Sequence, residues 1–247
     1  MSKKGQVSMF IIVGVLIVVG IALFFIFRGN AKTDDIINPE VKEVRTFVDS
    51  CIDKANQDAI EVISLRGGDY YQTDYTNEEG VRAYYIDSVE HIPTRSYISE
   101  QISKLASEYI LNCTNDFSKF GDYNVKEGKI TMTTTIEDNR ILIDVTYPLT
   151  VSKKFDEGAA VSETRDFTGY EYPIRLGLIH DGIKEVLSDP YAGYLVCTTC
   201  LLDFIEKDDL ELRMLENDKG DFISYVIMDE NSVLKDNPFI FIYGVKY

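Results

Sequence analysis

Residues 129–146, KITMTTTIEDNRILIDVT, decide the class of fold that this sequence predicts. Apolar and polar residues alternate through Lys129–Glu137 and again through Arg140–Thr146. A period of two places successive side chains on opposite faces of a strand. The polar residues 137–140 lie between the two runs and suit a turn. The stretch therefore predicts an antiparallel hairpin with one buried face.

Helical periodicity comes before this hairpin. Apolar residues recur every three or four positions through Glu40–Leu65 and through Ser96–Phe117, which is typical of helices that bury one face. Pro39 suits the start of the first helix, and Gly67-Gly68 suits its end. The first half of the chain therefore predicts two long helices.

Shorter elements surround these features. Strands are predicted over Arg82–Asp87, Leu149–Phe155, Arg165–Ile174, Leu210–Leu215, Phe222–Met228 and Phe239–Val245. Helices are predicted over Ile174–Leu187 and Cys197–Lys207. Because helices and strand meanders follow one another in blocks, the pattern favours an α+β domain with largely antiparallel sheet. We expect this domain to occupy residues 40–247.

An apolar stretch near the N-terminus predicts a membrane segment. Met9–Phe27 contains no charged residue, and Lys3 and Lys4 precede it. At about 1.5 Å per residue, a helix of this length crosses a hydrocarbon core of about 30 Å. We therefore expect a basic cytoplasmic leader (1–8), a transmembrane helix (9–28), a polar linker (29–39) and a single-pass protein with an extracytoplasmic C-terminal domain. A cleavable secretory signal is the alternative, although its apolar core is usually shorter.

The leader also suggests a processing route. Lys4, Gly5, Gln6 and Ser8 form a short basic segment that ends in Gly before Gln. This leader resembles the class III signal peptide of archaeal type IV pilins, and the whole chain is similar to uncharacterised single-span archaeal surface proteins. The resemblance implies cleavage between Gly5 and Gln6 and retention of the apolar helix as a filament core. Phe10 stands where many pilins carry Glu.

Charge and aromatic content restrict the partners. The chain has 41 acidic and 25 basic residues and a formal net charge of −16. Such a surface repels phosphates, which argues against nucleic acid as a partner. The 16 tyrosines, with no tryptophan, suit interfaces, and Tyr70, Tyr71 and Tyr75 cluster in the predicted loop Asp69–Tyr75.

The four cysteines favour disulfides. An even count in a chain with an exported domain is typical of disulfide bonding. Cys51 and Cys113 lie on the apolar stripes of the two long helices, so packing of those stripes favours Cys51–Cys113 together with Cys197–Cys200. Cys197-Thr-Thr-Cys200 also begins a predicted helix, where thiolate is favoured. Free thiols, half of a zinc site and a redox pair therefore remain alternatives.

No motif predicts an active site, a cofactor or a metal centre. His180-Asp181 has no nucleophile in a recognisable pattern, so we expect an ordinary surface histidine. The acidic doublets Glu78-Glu79, Asp208-Asp209 and Asp229-Glu230 lack the ligand spacing of a calcium loop and are expected to be loop charges. Asn112-Cys113-Thr114 is an N-glycosylation sequon, which makes Asn112 a candidate site.

Two functions are compatible with these features. The first is a membrane-anchored, non-enzymatic cell-surface protein that acts as a structural or pilin-like assembly subunit. Its partners would be the lipid bilayer and copies of itself or other surface proteins. The alternative is a tethered ectodomain that binds a protein, peptide or glycan through its tyrosine-rich loops.

Overall fold

The structure is a computed structural model that describes residues 39–87, 89–115, 117–154, 162–188 and 196–246. Its helices are α1 (Pro39–Leu65), α2 (Arg95–Thr114), α3 (Leu176–Leu187), α4 (Thr198–Lys207) and a short 3-10 helix (Phe117–Phe120). Its strands are β1 (Ala83–Ile86), β2 (Val89–Glu90), β3 (Tyr123–Glu127), β4 (Thr131–Ile136), β5 (Ile141–Lys153), β6 (Ser162–Tyr172), β7 (Glu211–Glu216), β8 (Phe222–Leu234) and β9 (Asn237–Lys246).

One sheet has five strands in the order β2-β1-β9-β8-β7. Three of the four strand pairings in this sheet are antiparallel, namely β1 with β2, β8 with β9, and β7 with β8. The exception is β1, which runs parallel to β9 with Tyr85 opposite Val245. This long-range pairing brings the residues that follow α1 to the C-terminal hairpin.

The second sheet is built on the long strand β5. The predicted hairpin is present as β4 and β5, with Thr131 opposite Thr146 and Ile136 opposite Ile141. Strand β3 pairs with a later part of β5, from Leu149 to Lys153. Because β6 pairs with both stretches of β5, β6 must lie on the opposite side from β3 and β4.

A continuous apolar core joins the two sheets and all four helices. Apolar and polar residues alternate along β5, so one face of this strand, with Ile141, Ile143 and Val145, is buried in the core. Helix α2 packs on β4, where the hydroxyl oxygens of Ser103 and Thr134 are 2.7 Å apart. Helix α1 contacts β6 through a 2.7 Å hydrogen bond from the Tyr170 hydroxyl to Asp49.

The predicted ends of the two long helices have clear physical causes. Gly67 and Gly68 have φ values of +68° and +91°, and the Gly68 amide donates to the Ile63 carbonyl at 2.8 Å. This left-handed pair therefore ends α1 as predicted. The hydroxyl of Thr94 accepts a 3.1 Å hydrogen bond from the Tyr97 amide, so α2 begins one residue before the predicted Ser96.

The transmembrane part of the predicted fold class, and the single-pass localisation that depended on it, are corrected. Within the ranges that the structure describes, no helix is both long enough and apolar enough to cross a bilayer. The stretch Met9–Phe27 and the processing residues Gly5 and Gln6 lie outside those ranges. The fold that is described is α+β, with one antiparallel sheet and one mixed sheet.

Candidate functional site: the tyrosine-rich loop and the acidic cleft

A buried carboxylate holds the tyrosine-rich loop, which we define as residues 69–75. Asp69 is only 1% exposed. Its Oδ2 accepts a 2.8 Å hydrogen bond from Arg82 Nη1, and its Oδ1 accepts a 2.6 Å hydrogen bond from the Tyr97 hydroxyl. A buried charge is tolerated when it is both paired and hydrogen-bonded. The loop is therefore attached at its first residue to Arg82, which precedes β1, and to Tyr97 of α2.

Arg82 extends this attachment to the far end of the loop. Its Nε and Nη2 donate to the His91 carbonyl at 3.2 and 3.0 Å. Its guanidinium carbon lies 5.1 Å from the centre of the Tyr75 ring, a cation–π distance, and Tyr75 stacks on His91 at 4.6 Å. Tyr75 is still 39% exposed, so this ring is fixed on one side and open on another.

The two other tyrosines of the loop rest on α2. The ring centres of Tyr70 and Tyr71 are 4.2 Å apart, and the Tyr70 hydroxyl donates to Glu108 Oε2 at 2.6 Å. The hydrogen bond to Glu108, together with burial, raises the pKa of Tyr70 to about 12. Lys104 Nζ lies 4.8 Å from the centre of the Tyr71 ring. Tyr71 is 52% exposed and forms the outer surface of the loop.

An acidic cleft of about 480 Å³ adjoins the loop. One wall is residues 72–79 and the other is the β7–β8 turn, residues 216–222. The β7–β8 wall is held by Asn217, whose Oδ1 accepts from the amides of Asp221 and Phe222, both at 3.2 Å. The two walls are joined by a 3.0 Å ion pair between Lys219 and Glu78.

Glycine and an aromatic ring shape the floor of this cleft. Ala83, Ile86 and Phe222 provide its apolar lining. A Cβ atom at Gly244 would lie 2.0 Å from Phe222 Cζ, so the tip of this ring occupies the space that a side chain at position 244 would need. A larger residue at 244 would displace Phe222, which lines the cleft.

Negative charge dominates the cleft. Six carboxylates line it, from Asp74, Glu78, Glu79, Glu216, Asp218 and Asp221, against two ammonium groups, from Lys219 and Lys246. The hydrogen bond to Glu78 raises the pKa of Lys219, and the hydrogen bond from Asn217 is the main cause of a lowered pKa of Asp221. Both shifts favour the charged forms of Lys219 and Asp221. With six carboxylates against two ammonium groups, the cleft attracts cations.

Both predicted disulfides are confirmed. Cys51 in α1 and Cys113 in α2 are bonded with Cα atoms 5.8 Å apart, as the packing of the two apolar stripes predicted. Cys197 and Cys200 are bonded across the first turn of α4. The Cys197 sulfur also accepts a hydrogen bond from the Cys200 amide at 3.2 Å and so caps the helix.

His180 differs from its prediction, because it is buried rather than on the surface. Its Nε2 donates to the Pro93 carbonyl at 2.7 Å, and its Nδ1 lies 3.1 Å from Asp181 Oδ1. Asp181 in turn accepts from Arg95 Nη2 at 2.8 Å. In the described part of the chain, the hydrogen bonds of this histidine therefore connect α3 to the start of α2 and include no nucleophile.

The remaining candidates are divided between surface and core. Glu78 and Glu79 line the acidic cleft, whereas Asp229 is fully buried and paired with Arg175. Among the described residues, no three or more His, Cys, Asp or Glu side chains are arranged so that they could hold one metal ion. Asn112 is exposed on the last turn of α2, but the Thr114 hydroxyl of its sequon is buried and donates to the Ile110 carbonyl at 2.9 Å.

Sequence reasoning identified the loop tyrosines but not the opposite wall of the cleft. Asp218-Lys219-Gly220 has the composition of a turn, but nothing in the local sequence places these residues beside residues 72–79. No family model, curated protein or solved structure matches this chain. The functional argument therefore depends on the geometry of the cleft and the loop.

Proposed function

We propose that this protein is a non-enzymatic binding module that holds a positively charged segment of a partner protein in the acidic cleft. The observation that carries the proposal is the excess of carboxylates around the cleft beside a loop of exposed tyrosines. Lysine or arginine side chains of the partner would meet the carboxylates, and its apolar groups would contact Tyr75 and Phe222.

The rigidity of the loop supports this proposal. Association costs less when the binding surface is already ordered, and tyrosine provides a large contact area with few rotatable bonds. The bonds of Asp69 and the stacking of Tyr75 supply that order in the protein alone. Carboxylates and tyrosines also occur in glycan sites, but the excess of negative charge favours a cationic segment over a neutral sugar.

The experiment measures binding of two dye-labelled hexapeptides, one with alternating Gly and Lys and one with alternating Gly and Glu. The test variant is Asp74→Asn with Asp218→Asn, which removes one exposed charge from each wall. The matched control is Glu185→Gln with Asp203→Asn, which removes two exposed charges from α3 and α4. We expect fluorescence anisotropy to show roughly tenfold weaker binding of the lysine peptide by the test variant and a change within about twofold for the control.

The control separates the cleft from the general charge of the protein. A lysine peptide is attracted to any strongly acidic surface, so equal weakening by both double variants would contradict the proposal. Equal binding of the lysine and glutamate peptides would contradict it as well.

A further inference from the structure

Among the described residues, strand β7 pairs with β8 alone. The backbone groups on its outer edge therefore have no strand partner in that part of the chain. The Asn217 amide donates to the Phe222 carbonyl at 3.0 Å, which makes these two residues a hydrogen-bonded pair. Hydrogen-bonded and non-bonded pairs alternate along antiparallel strands. The amides and carbonyls of Leu212, Met214 and Glu216 therefore point away from β8.

This edge also exposes apolar side chains on both faces of the sheet. Met214 is 57% exposed and Leu215 is 59% exposed, and consecutive residues of a strand point to opposite faces. Edge strands of this length are usually covered, bulged or interrupted, because an open edge is a template for another strand. The sheet's other edge strand, β2, spans only Val89–Glu90.

The charges at the edge indicate the kind of strand that fits. Glu211 and Glu216 lie at the two ends of β7, and Asp218 follows in the turn. Arg213 is the one basic residue of the strand, and its Nη2 lies 3.9 Å from Glu211 Oε2. Glu216 also lines the acidic cleft. The edge and the cleft therefore form one continuous surface with excess negative charge at the cleft end.

We propose that an extended segment of the partner adds to β7 as an antiparallel strand and places its N-terminal basic residues in the acidic cleft. In an antiparallel pair the N-terminal end of the segment lies beside Glu216, the C-terminal residue of β7. Its apolar side chains, at successive positions, cover Met214 on one face and Leu215 on the other. The inference rests on the proposed function because both use the cleft, and it specifies an extended peptide as the ligand.

The probe is the peptide acetyl-Lys-Lys-Val-Val-Thr-Val-Thr-amide, prepared unmodified and with two alternating patterns of backbone N-methylation. N-methylation removes an amide donor without changing the charge. Only alternate amides of an added strand face β7, so one methylation pattern should weaken binding at least tenfold and the other should leave most of it. In amide hydrogen exchange, the unmodified peptide should slow exchange of Leu212, Met214 and Glu216.

Met214→Pro is the matching change in the protein. It removes an outward-facing N–H, and proline is tolerated on an edge strand whose N–H points to solvent. Met214→Thr keeps the N–H and controls for loss of the side chain. We expect at least tenfold weaker peptide binding by the proline variant than by the threonine variant. Because the methylated peptides test the edge on the unchanged protein, misfolding of the proline variant would not remove the test.

Three results would overturn this inference. Equal binding of both methylated peptides would show that no strand forms on β7. In that case, weaker peptide binding by the Asp74→Asn, Asp218→Asn double variant would still support the cleft as the binding site. Binding that depends on methylation but not on these two aspartates would instead contradict the proposed function of the cleft. A concentration-dependent dimer in sedimentation velocity that Met214→Pro abolishes would identify a second copy of this chain as the occupant.

Discussion

Asp69 and Asp229 are both buried carboxylates paired with arginine, yet they hold different regions of the molecule. Asp69 accepts from Arg82 and Tyr97 and fixes a surface loop. Asp229 is 0% exposed and accepts from Arg175 Nε at 2.9 Å and from the Ser232 hydroxyl at 2.5 Å. The same chemistry therefore supports the candidate site in one place and the fold in the other.

The surroundings of Asp229 explain this difference. Arg175 precedes α3, and its Nη1 donates to the Asp208 carbonyl at the end of α4 at 3.0 Å. Asp229 itself lies where the pairing of β8 with β9 is interrupted. The network thus joins two helices to a sheet around one charge, whereas the Asp69 network joins a loop to elements that are already packed. We expect loss of Asp229 to affect stability more and loss of Asp69 to affect binding more.

The largest predicted effect is that of Asp229→Ala. This variant leaves the guanidinium of Arg175 without its carboxylate partner, and we expect the free energy of unfolding to fall by about 3–5 kcal/mol. Chemical denaturation followed by circular dichroism measures the change. The matched control is Glu230→Ala, since the neighbouring Glu230 is exposed and should change stability by about 0.5 kcal/mol at most.

The same variant should alter the acid dependence of stability. Burial alone raises the pKa of Asp229, but the hydrogen bonds from Arg175 and Ser232 outweigh burial and hold its pKa below the ordinary value. A lowered folded-state pKa gives stability that is present above the unfolded-state pKa of about 3.9 and is lost as pH falls through the folded-state pKa. Asp229→Ala lacks this component, so the difference in stability between the wild type and the variant should shrink as pH falls below about 4. A larger loss of stability from Glu230→Ala than from Asp229→Ala would refute the assignment.

Asp69→Asn is the next largest change and tests the other half of the comparison. The amide keeps the shape of the side chain but removes the charge that pairs with Arg82, and we expect a loss of about 2–3 kcal/mol. Since Arg82 also positions Tyr75, the affinity for the lysine peptide should fall as well, by roughly fivefold or more. Anisotropy at a temperature where the variant is folded measures this change.

Asp229→Asn provides the contrast for this result. Asp229→Asn should lower the free energy of unfolding at least as much as Asp69→Asn does. It should leave the affinity of the folded fraction for the lysine peptide within about twofold of the wild-type value, because neither Asp229 nor Arg175 lines the cleft. Equal effects of the two variants on affinity would remove the distinction between site support and fold support.

The fold was more predictable from the sequence than the site was. The hairpin β4–β5 and helices α1 and α2 follow from local periodicity, and Cys51–Cys113 follows from the stripes of the two helices. Some strand bounds differ from the predicted ones because local patterns do not show where a strand ends. Strand β5, for example, continues from Ile141 to Lys153 and joins two strands that were predicted separately.

The cleft and the two carboxylate networks depend on pairing between distant residues. Lys219 and Glu78 are separated by 141 positions, and the parallel pairing of β1 with β9 sets their approach. Asp229 belongs to an acidic doublet that predicted a loop charge, because its partner Arg175 is 54 positions away. Local propensity and periodicity contain no information on such contacts, so burial of an acidic residue could not be predicted from its neighbours.

The smallest predicted effect is that of Tyr97→Phe, which removes one of the two short hydrogen bonds to Asp69 and keeps the ring. Burial and the hydrogen bond to Asp69 raise the pKa of Tyr97, which indicates that the protonated hydroxyl is the donor. Arg82 remains paired with Asp69, so we expect a loss of about 1–2 kcal/mol, less than for Asp69→Asn.

The control is Tyr71→Phe, because the Tyr71 hydroxyl lies 3.4 Å from Glu108 on an exposed side chain, and its removal should cost about 0.5 kcal/mol or less. Denaturation of the two variants measures the difference. If Tyr97→Phe were as stable as Tyr71→Phe, the Arg82 ion pair alone would be enough to hold the loop, and the tyrosine of α2 would have no part in positioning it.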